Sequence, residues 1–310
     1  MGDVLSDVVA VMRAGEPRSA RILWHAPWGQ EFPTVRGSAA FQVVLRGSCW
    51  LVPSGEGTPV QLHEGDVLFL PHGTGFSLVD DLTTAITEPI CDPMNDPRFD
   101  ERYASATVGV PSSSSTVTLC GGYQVDPARA HPLMADLPEI VHLPAGTSPE
   151  LRAAVDLLGG ELDSPRLGVD TVIPALLDVL LLYILRTWFT GERGATTGWA
   201  AALADPAIAT ALHAIHETPA APWTVESLAA QASLSRAAFS KRFTALVGQP
   251  PLTYLTWWRL TRAAQLLRAS DASLSQVAAQ IGYSSEFAFA NAFKREYGTA
   301  PGRYRRSLTG

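Results

Sequence analysis

Apolar positions change their spacing along the chain. From about residue 20 to 125 they fall in short runs rich in β-formers: Phe41–Leu45, Cys49–Val52, Val60–Leu62, Val67–Leu70 and Val117–Val125. Gly- and Pro-bearing turns at 46–48, 53–57, 64–66 and 71–73 separate the first four, and Ser112–Ser115 mark a loop. Close turn spacing between short strands predicts an antiparallel barrel or sandwich. From about Ser148 the period becomes helical, with Leu151, Val155 and Leu158 on one face and an expected stop at Gly159-Gly160. Residues 171–189 are apolar nearly all round, which predicts a helix buried on two sides. That helix carries Pro174, Asp178 and Arg186, and its unbroken apolar run covers only 179–185, short of the roughly 20 residues of a membrane span. A linker is expected at 191–198, with helices beyond it.

The last ninety residues contain a near-repeat. The first copy spans 227–255 and the second 275–305. Each has a small-residue helix, Leu228–Gln231 or Val277–Gln280, then a short turn, 232–234 or 281–283. A Ser follows as an N-cap, Ser235 in one copy and Ser284 or Ser285 in the other. The next helix carries Phe239 and Phe243, or Phe289 and Phe293, and each copy closes on Gly and Pro. Small residues let two helices approach closely, Gly282 permits the redirecting turn, and the Phe pairs at i, i+4 anchor one face. The opposite face is free for a major groove, and two such units joined by a helix over 254–269 suit successive grooves on one side of a duplex.

Charge sharpens this division. The chain has 310 residues and a net charge of −7, yet residues 204–310 hold 11 basic against 6 acidic side chains, while residues 1–203 hold 12 against 24. A polyanion partner is therefore expected at the C-terminal third. An apolar share of 46% with 17% charged residues excludes wholesale disorder, and three cysteines exclude a disulfide-framed scaffold. The first twenty residues lack a secretory pattern, so a cytoplasmic protein is expected.

The repeated unit resembles the double helix-turn-helix domain of the AraC/XylS family of bacterial transcription regulators. The residues that carry it are Ala278–Ser285, Phe289, Phe293-Lys294-Arg295, Gly298 and Pro301. The front, through Phe41–Gly47, Cys49–Leu51, Leu62–Val67, Pro71–Gly73, Leu119–Tyr123, His131–Leu133 and Leu137-Pro138, is similar to the cupin-type sensor of a subgroup that includes reactive-chlorine-responsive activators. The resemblance implies an α+β multidomain chain: a cupin-like β-barrel over 1–145, dimerisation helices and linker over 146–203, and a DNA-binding domain over 204–310. It implies a sequence-specific transcription regulator, an activator by family habit, working as a homodimer on double-stranded promoter DNA with RNA polymerase. Membrane partners and cofactors are not expected. The alternatives are a cupin-type enzyme or a metal- or ligand-binding module with a helical tail. A DNA-repair methyl acceptor would need a cysteine-rich zinc module that is absent from the sequence.

The family's base-contacting positions correspond to Ala237, Ser240 and Lys241 in the first copy, and to Glu286, Phe287 and Asn291 in the second. Lys241 suits guanine O6/N7, and Ala237 suits a thymine methyl. Close relatives often carry Arg at the position of Asn291, and Asn suits adenine N6/N7. Arg236, Arg242, Arg259, Arg262, Lys294, Arg295 and Arg303 are candidate phosphate contacts. In the sensor, the subgroup often has His where Gln42 and Phe76 stand, so neither a bound metal nor a cupin oxygenase is expected. Two signals remain open. Cys49 and Cys120 are candidate redox residues, with Cys91 expected in an exposed loop. Trp24, Phe41, Trp50, Phe69 and Phe76 are candidate walls of a pocket for a small effector.

Overall fold

The structure, a computed structural model, describes residues 4–12, 17–86, 91, 103–124, 130–191 and 198–307. The chain divides into two compact units, one of residues 12–130 and 137–188, the other of residues 1–11, 131–136 and 189–310.

The first unit is a β-structure under two helices. Strands β1 (Arg18–His25), β3 (Ser38–Arg46), β6 (Val67–Leu70), β8 (Tyr103–Val108), β9 (Ser115–Gln124) and β10 (Val141–Leu143) form one sheet in the order β10-β6-β3-β9-β1-β8. Strands β2 (Gly29–Phe32), β4 (Ser48–Pro53), β5 (Val60–His63) and β7 (Phe76–Val79) form the other, in the order β2-β7-β4-β5. Only the β1–β8 pairing is parallel among the described strands. Every second residue points inward: Ala20, Ile22 and Trp24 from β1, Cys49 and Leu51 from β4, Leu68 and Leu70 from β6, Phe76 and Leu78 from β7 share one core.

The outer face of the larger sheet is covered in turn. Helix α3 (Pro149–Asp163) packs on β1 and β8, and the Tyr123 hydroxyl of β9 donates to the Leu177 carbonyl of α4 (Val169–Thr190) at 2.5 Å. Helix α3 does not stop at Gly159-Gly160 as its sequence suggests. The Leu45 side chain lies 3.3 Å from where a Cβ of Gly159 would be, so a glycine there admits a close neighbour rather than ending the helix. Helix α4 is long and apolar enough to cross a membrane by length and composition. Its inner face, Ile173, Leu177, Leu180, Leu181, Ile184 and Leu185, is fully buried, as in a core helix. The expected linker falls mostly on residues 192–197, which lie outside the described residues.

The second unit is helical. It contains α1 (Val4–Met12), α2 (Pro132–Ala135), and then α5 (Gly198–Ala204), α6 (Pro206–Glu217), α7 (Val225–Gln231), α8 (Arg236–Val247), α9 (Pro251–Ala269), α10 (Leu274–Gln280), α11 (Glu286–Tyr297) and α12 (Pro301–Arg306). The repeat becomes two helix-turn-helix motifs, α7–α8 and α10–α11, joined by α9. Ser235 and Ser285 cap the second helices by accepting from Ala238 N–H at 3.3 Å and Ala288 N–H at 3.1 Å. Gly248 and Gly298 close both helices in the left-handed region, at φ 81° and 67°.

Candidate functional site

Helices α8 and α11 each bury a Phe pair and turn the opposite side outward. Phe239 and Phe243, and Phe289 and Phe293, are fully buried. Ala237, Lys241, Glu286, Phe287 and Asn291 are exposed and Ser240 is half-buried, so the six positions lie away from the motif cores. Phe287 is 77% exposed, a large apolar side chain on a face otherwise polar or small. Such a ring suits a thymine methyl in a major groove.

The basic residues divide by what already holds them. Lys294, Arg295 and Arg303 are exposed. Arg236 pairs with Glu226 at 2.8 Å, but both are largely exposed, so the pair is weak and competes poorly with a phosphate. Arg242 is bound to the buried carboxylate of Asp205, which also caps α6 by accepting from Ala207 and Ile208 N–H. Arg259 departs most from its expected phosphate contact. Its Nε and Nη2 donate to the Pro219 and Ala221 carbonyls at 2.6 and 2.7 Å, and burial lowers its pKa. It braces the turn before α7, where the Ala221 carbonyl also accepts from Trp223 N–H at 2.7 Å. Arg262 is half-buried and donates to Gln265 Oε1 at 2.8 Å.

The first unit encloses a cavity of about 280 Å³ at one end of the barrel. Its wall includes Arg18, Ser19 and Ala20 of β1, Ala40 and Gln42 of β3, Cys120–Gln124 of β9, Phe32, Phe76 and Cys91. Of the five expected wall residues only Phe76 is there. Phe41 and Phe69 alternate with the inward Ala40, Gln42, Leu68 and Leu70, so they lie on the other face of the sheet, where Phe41 meets Tyr123 at 6.1 Å. Trp50 alternates with the inward Cys49 and Leu51 and is half-buried outside. Trp24 is inside, but it is core, stacked on Trp28 at 4.6 Å with its indole N–H on Thr118 Oγ1 at 2.8 Å.

Two polar atoms on that wall have no partner among the described residues. Gln42 Oε1 and Ser19 Oγ are buried without a hydrogen bond, on residues only 4% and 2% exposed. An unpaired buried acceptor is costly, and a ligand donor relieves it. The two positions where the resembling subgroup often has His, Gln42 and Phe76, both face this space. No cluster of three or more His, Cys, Asp or Glu side chains suits a metal ion among the described residues.

Cys49, Cys91 and Cys120 are all buried and outside any disulfide, so Cys91 does not occupy an exposed loop. Burial, with the Asp66 charge second, pushes the Cys49 thiol up to about 12. Cys120 Sγ donates to the Ala20 carbonyl at 3.5 Å. Reactive cysteines are accessible and thiolate-rich, and Cys49 is neither.

The chain's likenesses fit this division. Residues 3–190 match the cupin family, and residues 228–307 match the helix-turn-helix domain family. A putative AraC-like transcription regulator of Streptomyces lividans is 36% identical over 99% of this chain and 99% of its own. The RCS-specific HTH-type transcriptional activator RclR of Escherichia coli is 33% identical over 62% of this chain and 69% of its own. The DNA-binding domain of AdpA, solved in complex with a target DNA, is 36% identical over 33% of this chain and 92% of its own, with a TM-score of 0.32. This chain belongs to the AraC family of transcription regulators, with a cupin domain ahead of a helix-turn-helix domain that binds double-stranded DNA.

Proposed function

We propose that this regulator is a cytoplasmic homodimer, not an enzyme, controlled by a small neutral molecule in the barrel cavity. The observation that carries the reading is the pair of orphaned polar atoms, Gln42 Oε1 and Ser19 Oγ, in an otherwise largely apolar cavity of about 280 Å³. They call for an apolar body bearing one hydrogen-bond donor, such as an alcohol or a phenol. Ligand and DNA would be read by separate parts, residues 1–145 and 204–310, with the dimer contact in 146–203. Leu157 of α3 and Val172 and Val179 of α4 are exposed, the last two seven residues apart on one helix face, and they suit a second copy of the chain. In the AraC manner we expect activation through RNA polymerase.

Thermal melts of the full chain against small phenols and alcohols test this. Donor-bearing compounds should raise Tm and their hydrocarbon counterparts should not, and Gln42→Leu should reverse the preference. Equal response to both, or to neither, would refute the cavity reading. The RclR relative's name favours an oxidant instead, and the buried thiols weigh against it. Sequencing genome fragments bound with and without hypochlorous acid decides between them: an oxidant-dependent pattern lost in Cys49→Ala or Cys120→Ala would establish the oxidant.

A further inference from the structure

Two short pieces of chain that adjoin the cavity-wall strands in sequence are built into the helical unit. Helix α1 precedes β1, and segment 131–136 follows β9. β1 and β9 pair antiparallel, with Arg18 opposite Gly122, and that paired end supplies Arg18–Ala20 and Cys120–Gln124 to the cavity wall. In sequence, both pieces therefore adjoin the same end of the same strand pair.

Each is anchored twice. Asp7 Oδ2 of α1 meets His216 Nδ1 at 2.9 Å, and the Ala10 carbonyl accepts from Gln265 Nε2 at 3.0 Å. Asp136 accepts from Trp199 N–H at 2.8 Å, and His131 Nε2 meets Tyr254 Oη at 3.0 Å. Tyr254 Oη in turn meets His216 Nε2 at 2.6 Å. One backbone group sets every proton in this chain. Leu133 N–H only donates, and it points at His131 Nδ1 at 3.1 Å. His131 is fully buried and neutral, so its Nε2–H donates to Tyr254. The Tyr254 hydroxyl then donates to His216 Nε2, which leaves His216 Nδ1–H to donate to Asp7. His216 stacks on Trp258 at 3.9 Å, and Tyr254 meets Phe243 of the first recognition helix at 6.0 Å. The line Leu133–His131–Tyr254–His216–Asp7 thus clasps both segments to the core under α8.

We propose that these segments are paired straps that couple the cavity wall to the first helix-turn-helix motif, with Tyr254 as the clasp. The proposal rests on the cavity being the effector site. Coupling of this kind is reciprocal, so DNA on α8 must be felt at β1 and β9 as the cavity is felt at α8. The reciprocal direction needs no effector.

The probe is a duplex selected from a random pool by the wild-type full chain. Hydrogen exchange is followed at 18–25 and 115–124 with and without that duplex. Wild type should change its protection there on binding DNA. Tyr254→Phe, which keeps the ring and removes the clasp hydroxyl, should bind the duplex and lose the remote change. His131→Asn, which keeps a capping acceptor for Leu133, should behave likewise. A remote change that persists in both variants, or that wild type never shows, overturns the straps. If the straps pass while no phenol or alcohol raises Tm, the ligand reading alone has failed. A pool that yields no duplex removes the regulator reading and this coupling with it.

Discussion

The two helix-turn-helix motifs have the same plan and different dependencies. The second has its own core: Phe289, Phe293, Ile281 and Tyr304 pack with Leu260, Ala263, Ala264 and Leu267 of α9. Phe293 stacks on Tyr297 at 4.2 Å, and Tyr304 of α12 closes the cluster at 5.4 Å from Phe293. The first motif instead packs toward Tyr254, Trp258 and His216, and through them to Asp7 and His131, residues far away in sequence. Their turns differ as well. Gly282 adopts φ +81° against the Ala220 backbone, while Ser233 holds φ 53° and is the single non-glycine residue in that region among the described residues. The second motif's core thus draws on α9 and α12, with its turn seated on Ala220. The first packs on α5, α6 and α7, and its support also reaches through Tyr254 and His216 to His131 and Asp7.

The largest blow to the comparison comes from the cores. Phe239→Ala and Phe289→Ala each remove a fully buried ring and should cost about 3–5 kcal/mol in urea unfolding. The turns come next. A Cβ on Gly282 would lie 2.7 Å from the Ala220 carbonyl oxygen, so Gly282→Ala should cost about 2–3 kcal/mol. Ser233→Gly should stay within about 1 kcal/mol of wild type, since relief of the positive φ offsets the added backbone freedom. If the two turns respond alike, the asymmetry is wrong.

The reading faces sharpen the comparison on DNA. Lys241→Ala should lose a guanine preference, and Asn291→Arg should move preference from adenine to guanine at one step, each by about 1–3 kcal/mol in binding-site selection. Identical selected sites for wild type and Asn291→Arg would refute the assignment.

Acid is the mildest perturbation. Burial holds both His131 and His216 below their ordinary value, with Asp7 opposing and Arg262 and His213 assisting at His216. The unfolded chain binds protons there below pH 6.5 that the folded chain does not. Stability is therefore full above 6.5 and falls as pH drops below it. Equilibrium unfolding between pH 7 and 5 should show this, and His131→Asn should lessen it while His216 keeps the remainder.

Much of this was legible in residue order. The strands near 41–45, 49–52, 60–62 and 67–70, the long helix ending near 190, and both recognition helices follow from period and punctuation. The caps at Ser235 and Ser285 and the turn at Gly282 follow from local backbone chemistry. The stop expected at Gly159-Gly160 failed because a glycine can serve a distant neighbour, here Leu45, as well as a turn. Cavity walls failed for a related reason. Aromatic character marks a residue as apolar, but pairing register decides which face it takes, so Phe41 and Phe69 went outward and Ala40 and Gln42 inward.

The sequence by itself determined the family, the paired motifs and their outward positions, because those rest on contacts a few residues apart. Only the tertiary structure decided what Arg259 holds, which atoms in the barrel lack partners, and what supports the first motif. His131 meets Tyr254 across 123 positions and Asp7 meets His216 across 209. Nothing in the periodicity of either segment encodes such a pairing. It arises because buried imidazole and phenol groups must find hydrogen-bond partners wherever the folded chain brings them.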